Sequence, residues 1–310
     1  MRAYFLKSPE MQLELRDAPA PQPGPNQLLV RVRAAGLNRG EFLRHGLTKP
    51  GAPKIGGTEG AGELPSGERV MGRLPGSFAE YALLDADDAI PVPPNLSWEE
   101  AAAIPLTFLV VYDMLAQQGS LKKDEWLLVT GVSSGVGVAA LLAGKVLGAK
   151  VIGTSGSAEK LENVKKLGLD VAIQTRKPDF HEAVMKATGG KGVDLVVNNV
   201  GGSVFAECVK SLGYEGRLAT VGYVDGVMKG EMDIEALHSK RLKLFGVSNK
   251  MRNGAQRGVT VQGFTRDFLP LFASGKLKPV IDRVYDFKDL PQAKARMESN
   301  AHIGKIVVRI

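Results

Sequence analysis

The chain is poor in the side chains that build covalent or metal-held frameworks. Its 310 residues include one cysteine, Cys208, and four histidines. One thiol excludes an intrachain disulfide and a four-cysteine zinc lobe. His45, His181, His238 and His302 stand far apart, and no two share metal-binding spacing, so no metal site is expected. Long apolar runs are missing too. No stretch approaches the ~20 residues that cross a bilayer, and Met1-Arg-Ala-Tyr-Phe lacks the basic-then-apolar plan of a leader peptide. The expectation is a cytoplasmic protein without a membrane partner. Blocks of one charge sign are also missing. Lys and Arg exceed Asp and Glu by 40 to 33, but they are scattered and form none of the clusters that mark a nucleic-acid face. An anionic small ligand accounts for the net charge of +7 equally well.

What is present is an ordinary globular composition, 44% hydrophobic and 24% charged, able to bury sizeable cores. The length predicts two domains. Up to about residue 100, Gly and Pro separate short apolar runs such as Leu28-Leu-Val-Arg-Val and Phe78-Ala-Glu-Tyr-Ala-Leu-Leu, the pattern of a compact, mostly-β unit. A helical stretch from Trp98 to Gln118 follows, capped by Ser97 and interrupted at Pro105. Between Trp126 and Ser248, six buried-strand runs alternate with helix-length segments, the form of a parallel sheet covered on both faces. Six such strands suit two mononucleotide-binding halves. A polar stretch at 250–258, helices near 260–273 and 290–298, and a strand beginning at Lys305 complete the chain. The expected fold class is α/β: a doubly wound parallel sheet of the Rossmann type over 119–254, with a mostly-β domain over 1–118 completed by 255–310. Cys208, in the apolar run Val204-Phe-Ala-Glu-Cys-Val, reads as a buried structural thiol.

Directly after the first of the six strands stands Gly131-Val-Ser-Ser-Gly-Val-Gly137, opening into Val138-Ala-Ala-Leu-Leu-Ala. Strand, glycine turn and helix are consecutive, which is where a pyrophosphate approaches backbone N–H groups under a favourable helix dipole. Gly135 and Gly137 take the close-approach positions in this reading, and Ala139, Ala140 and Ala143 let the helix pack on the sheet. At the tip of the second strand an NAD-specific site requires an acid for the ribose 2′-hydroxyl. Gly153-Thr-Ser-Gly-Ser-Ala-Glu-Lys160 has none at the tip, whereas Ser155 and Ser157 can hydrogen-bond a phosphate and Lys160 can approach it as a point charge. The expected cofactor is NADPH.

Several motifs in fixed order carry a family resemblance: Ala34-Ala-Gly-Leu-Asn-Arg-Gly-Glu, Gly57-Thr-Glu-Gly-Ala-Gly, Gly76-Ser-Phe-Ala-Glu-Tyr, Glu100-Ala-Ala-Ala-Ile-Pro, the glycine turn, Asn199-Val-Gly-Gly, Gly216-Arg-Leu and Gly304-Lys-Ile-Val-Val. Together they resemble the zinc-independent quinone oxidoreductases, the zeta-crystallin-like family of the medium-chain dehydrogenase/reductase superfamily, over essentially the whole chain. The resemblance implies a GroES-like substrate domain beside the Rossmann domain, and a homodimer. It implies that Asn38 faces nicotinamide and substrate, that Ser134, Gly135, Val136 and Gly137 hold the pyrophosphate, and that Lys160 holds the 2′-phosphate. Asn199 is implied at the ribose or nicotinamide, Val221, Gly222 and Tyr223 beside the ring, and Phe245, Val247 and Ser248 near the carboxamide. His302 matches a position that is often Asn in the reductase branch. Three departures stand out. Gln174-Thr-Arg176 replaces a common Tyr, so Arg176 or Thr175 takes its phosphate contact; Arg39 replaces the Tyr after Asn38; and Val110 stands where Thr is frequent.

Zinc alcohol dehydrogenases of that superfamily carry metal ligands where this chain has Asn38 and Thr58, so metal-assisted alcohol oxidation is not expected. The expected reaction is metal-free hydride transfer from NADPH to an electron-poor acceptor, a quinone or an α,β-unsaturated carbonyl. No catalytic acid is singled out: Tyr223 and Arg39 are candidates, and packing and surface solvation explain both better. A different class of reading is a nucleotide-bound binding protein without turnover, RNA-binding or structural in the manner of crystallin-like relatives.

Overall fold

The computed structural model describes residues 1–7, 11–42 and 53–310. These fall into two compact units, the first comprising Met1–Leu109 and Asn253–Ile310, the second Val110–Arg252.

The second unit is built on six strands: Trp126–Val129, Lys150–Ser155, Val171–Gln174, Val193–Asn198, Leu212–Thr220 and Lys243–Gly246. All neighbours are parallel, and the order across the sheet is third, second, first, fourth, fifth, sixth. This is the doubly wound α/β arrangement expected from the alternating apolar runs. Leu127, Leu128 and Val129 of the first strand pair with Leu195, Val196 and Val197 of the fourth, so the strand order reverses at the centre. The carboxyl ends of strands at such a reversal are the general ligand site of open α/β sheets. Leu128, Ile152, Phe180, Val184, Val196, Cys208 and Leu218 belong to one buried core. Burial pushes the Cys208 thiol well above its ordinary range, with the Glu207 charge adding to the effect, which makes it an inert core group.

The first unit is mostly β. The long strand Gln27–Gly36 pairs antiparallel with Glu59–Glu63, with Tyr81–Asp85 and with the C-terminal strand Lys305–Arg309. A smaller sheet joins Gln12–Asp17, Arg2–Lys7 and Lys54–Ile55. The helical stretch after residue 97 is two short α-helices, Trp98–Ala102 and Pro105–Tyr112, the second running on into a π-helical turn, Asp113–Gln117. Ser97 and Glu100 form a reciprocal capping box at the first, and Pro105 begins the second. The stretch read as polar over 250–258 is partly helical, because Asn253 and Gln256 form another capping box that starts the helix Gly254–Asp267. That helix is fastened within the unit by Arg257, which donates to both Asp88 and Asp85.

Candidate active site

The glycine turn of the second unit has the geometry of an anion cradle. Gly131 lies at φ +62°, in the left-handed region, and turns the chain off the first strand. Val132 donates to Thr154 O at 2.9 Å and Gly131 donates to Thr154 Oγ1 at 3.2 Å, which stitches the turn to the second strand. Ser134 caps the helix Gly135–Val146 by accepting from Gly137 N at 3.0 Å. The N–H groups of Gly135 and Val136, first and second in the helix, have no acceptor within it and are half-exposed at its positive end. Gly137 has a steric role in the turn itself. A Cβ on it would stand 2.5 Å from Gly131 O and 2.8 Å from Val132 C, so glycine there permits the turn to close on its own backbone. Gly144, further along the same helix, allows a comparably close approach to Leu127.

At the tip of the second strand the structure gathers Ser155, Ser157, Thr175, Arg176 and the backbone of Lys160. Ser157 caps the helix Ala158–Lys165 by accepting from Lys160 N at 3.3 Å, so Lys160 starts from the first turn beside the tip. The side chain of Arg176, an exposed residue just beyond the third strand, lies across Gly156. A Cβ on Gly156 would meet Arg176 Nε at 2.1 Å and its Cγ at 2.3 Å. Glycine at 156 is thus the seat of the guanidinium. Ser155 is 8% exposed. Its hydroxyl sits 3.4 Å from Ser133 Oγ and accepts from Ser157 N. That hydroxyl braces turn against strand. Thr175 Oγ1 bonds Asp179 and the Lys177 backbone, closing its own loop.

The ends of the fourth and fifth strands bring together Asn199, Val221, Gly222 and Tyr223. Asn199 is buried: its N–H donates to Thr130 Oγ1 at 3.0 Å and its Nδ2 to Thr130 O at 3.2 Å. It ties the fourth strand to the cradle. Asn198, which sequence reasoning passed over, caps the loop more fully, accepting from Val200 N and Gly201 N and donating to Gly201 O. Val221 N donates to Asn198 O, and a Cβ on Gly222 would approach nothing nearer than Asn199 O at 3.7 Å. Gly222 and Tyr223 line a cavity of about 260 Å³ together with Asn198, Phe205, Met228 and Lys229. Phe245 lies in the sixth strand opposite Ala219, with Val247 buried and Ser248 exposed beyond it.

Asn38 belongs to the first unit, where it enters a polar cluster, built on the buried pair Glu59 and Lys305, that the sequence reading did not identify. Lys305 Nζ donates to Leu37 O at 2.9 Å, Asn38 Oδ1 at 2.8 Å and Glu59 Oε1 at 2.5 Å. Asn38 Nδ2 lies 2.9 Å from Glu59 Oε1, 3.1 Å from Glu41 Oε1 and 3.3 Å from Thr58 Oγ1. Thr58 Oγ1 and Glu41 Oε1 also share a short hydrogen bond. Glu59 is completely buried, and its second oxygen accepts from Leu106 N at 2.8 Å. Gly36 makes room for it, since a Cβ there would stand 2.7 Å from Glu59 Oε1. Burial pushes the Glu41 carboxyl up to about 7, against the opposing pull of the Thr58 and Asn38 hydrogen bonds and the Lys305 charge. The amide of Asn38 therefore has its donors engaged inside the cluster. Charged residues at the first positions of two largely buried strands, Glu59 and Lys305, were the available signal. His302 lies half-buried just before Lys305–Arg309, in the same unit. His45 lies outside the described residues.

Comparison with known proteins sets these features in a family. The family model described as zinc-binding dehydrogenase matches residues 135–259. The chain is 30% identical, over 96% of its length, to the human synaptic vesicle membrane protein VAT-1 homolog, of which the alignment covers 83%. It is also 30% identical to part of a phenolphthiocerol/phthiocerol polyketide synthase of Mycobacterium tuberculosis, spanning 14% of that much longer protein. Among solved structures, the quinone oxidoreductase of Thermus thermophilus, studied alone and with NADPH, superposes with a TM-score of 0.83 at 30% identity over the whole of both chains. The Escherichia coli quinone oxidoreductase in complex with NADPH gives 0.87 at 26% identity, again over both whole chains. Zinc does not fit the residues present: the cluster offers an amide, a hydroxyl and two carboxylates already bonded, and the Lys305 ammonium sits where a second cation would be repelled. Among the described residues, no three His, Cys, Asp or Glu side chains form a metal-holding group. The chain belongs to the medium-chain dehydrogenase/reductase superfamily, in its group of quinone oxidoreductase-like oxidoreductases with a GroES-like and a Rossmann domain.

Proposed function

We propose that the protein is an NADPH-dependent reductase that transfers hydride, without a metal, to a quinone or to a carbon–carbon double bond conjugated to a carbonyl. The observation that carries the reading is the tip of the second strand, where Arg176 lies across Gly156 beside the first turn bearing Lys160, and the strand-end run Ser155-Gly156-Ser157 holds no acid to accept from a ribose 2′-hydroxyl, the exposed Glu159 coming one turn later with Lys160. Two cations at that place match a 2′-phosphate. NADPH-bound quinone oxidoreductases among its structural neighbours support the cofactor. Acryloyl-coenzyme A reductase of Sulfurisphaera tokodaii, 27% identical over the full length of both chains, supports a conjugated double bond as acceptor.

When bound, NADPH supplies the hydride at its nicotinamide C4. This chain's residues bind and orient. Gly135 and Val136 N–H groups and Ser134 hold the pyrophosphate, Arg176 and Lys160 the 2′-phosphate, and the Asn199 tie to Thr130 fixes the fourth strand against the cradle. Asn199, Val221, Gly222, Tyr223, Phe245, Val247 and Ser248 form the ribose and nicotinamide side of the second unit in this reading. The test is deuteride transfer from 4-deuterated NADPH to a panel of quinones, enones and acryloyl thioesters, followed by mass spectrometry. Deuterium at the β-carbon of an enone, or stoichiometric hydroquinone, is the expected result. NADPH that binds and is consumed by no acceptor overturns the reading.

A further inference from the structure

Every neighbouring pair of strands in the second unit is parallel, so the amino ends of all six lie along one end of the sheet, opposite the carboxyl ends that carry the cradle. Six lysines gather at that amino end although they are scattered along the chain. Lys122 and Lys123 precede the first strand, Lys150 begins the second, Lys191 precedes the fourth, Lys210 precedes the fifth and Lys243 begins the sixth. Five strands adjacent in the sheet each bring at least one, because a βα repeat returns the chain to the same end whenever it starts a strand. The Lys123 side chain lies against Gly148, where a Cβ would stand 2.9 Å from its Cγ, and a Cβ on Gly213 would stand 2.5 Å from Lys191 O. All six lysines are exposed, and among the described residues none of them forms an ion pair. The other ion pairs of this end are closed on themselves: Lys145 with Asp170, Arg217 with Glu125 and Arg241 with Glu215. Asp194 accepts from Trp126 N at 2.7 Å, which leaves Asp124 as the opposing charge. Five of the six lie outside any helix, so the usual placement of lysine at a helix C-terminus does not account for them. Tyr214, 67% exposed, stands next to Gly213 at the start of the fifth strand.

We propose that the amino end of this sheet is a docking surface for an anionic lipid bilayer, held by the six ammonium groups with the Tyr214 ring at headgroup level. Strands lie about 4.8 Å apart, so the lysines of five adjacent strands spread over roughly 20 Å instead of converging on one phosphate. A bilayer rich in anionic headgroups is negative everywhere and asks for no exact register, and clusters of roughly four to eight basic residues are held by such surfaces. The kind of cation points the same way. Lysine is a hydrated point charge on a flexible stem, whereas the planar fork of arginine recognises a phosphate in fixed geometry. The two arginines of this end, Arg217 and Arg241, are both spent on acids, and the unpaired cations are all lysines. A single-strand nucleic-acid face stacks successive bases on a row of aromatic rings, and Tyr214 is one exposed ring. One ring with a polar tip suits the boundary between headgroups and water. Among the described residues no helix is long and apolar enough to cross a membrane, so the contact is peripheral and electrostatic. It leaves the cradle free at the opposite end of the strands, and it stands whether or not the reductase reading does.

The test is co-sedimentation of the full-length protein with phosphatidylcholine vesicles that contain phosphatidylserine, and with phosphatidylcholine vesicles alone. Binding to the anionic vesicles only, lost in about 0.5 M salt where charges are screened beyond roughly 4 Å, is the expected result. A lysine at an anionic bilayer surface is worth about fivefold in affinity, so Lys122→Gln with Lys123→Gln, and separately Lys191→Gln with Lys243→Gln, are each expected to weaken binding about 25-fold. Tyr214→Ala is expected to weaken it at unchanged charge. Lys276→Gln with Lys278→Gln, exposed lysines of the first unit, is expected to leave it unchanged. Thermal unfolding of every variant is expected to match the wild type, which separates lost docking from lost fold. A wild type that ignores anionic vesicles at low salt overturns the proposal. An equal loss in the Lys276 and Lys278 variant also overturns it, by reducing the attraction to net charge. So does a single-stranded oligonucleotide that the wild type binds more tightly than the vesicles and that the same lysine variants release, an outcome that assigns the surface to nucleic acid.

Discussion

A methyl group on residue 137 would stand 2.5 Å from the carbonyl oxygen of Gly131, a distance that real Cβ atoms do not adopt. Gly137→Ala must therefore shift the backbone of the cradle, and overpacking of this kind costs about 1–3 kcal/mol. Thermal unfolding of the variant is expected to move down by several degrees, and an unchanged midpoint would show that the turn is less tightly closed than described. Gly156→Ala makes a different demand: its Cβ would fall 2.1 Å from Arg176 Nε and 2.3 Å from Cγ. The guanidinium must leave its seat, so NADPH affinity is expected to drop with NADH affinity unchanged, read by fluorescence titration. Single residues also mark where the sequence was hard to read. Asn38 was legible as important by its motif, but its partners Glu59 and Lys305 lie 21 and 267 residues away. Only the strand pairing of Lys305–Arg309 and Glu59–Glu63 with Gln27–Gly36 brings them to it.

At the scale of elements, the cradle depends on a helix that starts where it does because Ser134 accepts from Gly137 N. Ser134→Ala removes that cap and is expected to cost about 1 kcal/mol of stability, measurable by urea denaturation, and to weaken NADPH as the loop loosens. The short helix Arg39–Phe42 carries Glu41, whose carboxyl is raised by burial to about 7. The folded state thus holds this proton more firmly than the unfolded chain. Its stabilisation is full below the ordinary glutamate range and is lost as pH rises from there to about 7, an effect on the order of 3 kcal/mol at most. Glu41→Gln is expected to flatten that part of the stability–pH curve relative to wild type; parallel curves would contradict a neutral Glu41. Elements were the most legible scale. Continuous apolar runs such as Trp126–Val129 and Val193–Asn198 announce buried parallel strands, and Ser97 announces its helix. Start points set by side-chain capping were less so: the helix Gly254–Asp267 begins inside a run of Asn, Gly and Gln because Asn253 and Gln256 bond each other's backbone. Composition there reads as loop.

For the whole molecule, the order of motifs carried the family, and the parallel sheet with its central reversal carries the site. What sequence could not supply was the division of labour among small polar residues. Ser155 and Asn199 were read as ligand contacts, and the structure engages both in bracing the cradle, through Ser133 and Thr130. Ligand linkage gives a molecule-wide prediction. NADPH at about 100 times its Kd is expected to stabilise the folded protein by about 2.7 kcal/mol, and thermal unfolding that ignores saturating NADPH would contradict a preformed site.

The central claim is that Arg176, seated across Gly156, and Lys160, in the first turn of the helix beyond the second strand, select NADPH, and paired titrations with NADPH and NADH test it most directly. Fluorescence titration of the wild type is expected to show NADPH bound at least about tenfold more tightly, and Arg176→Ala and Lys160→Ala to lose about 1.5–3 kcal/mol each for NADPH and little for NADH. Equal affinity for the two cofactors in the wild type, or a preference that survives both substitutions together, would contradict the account.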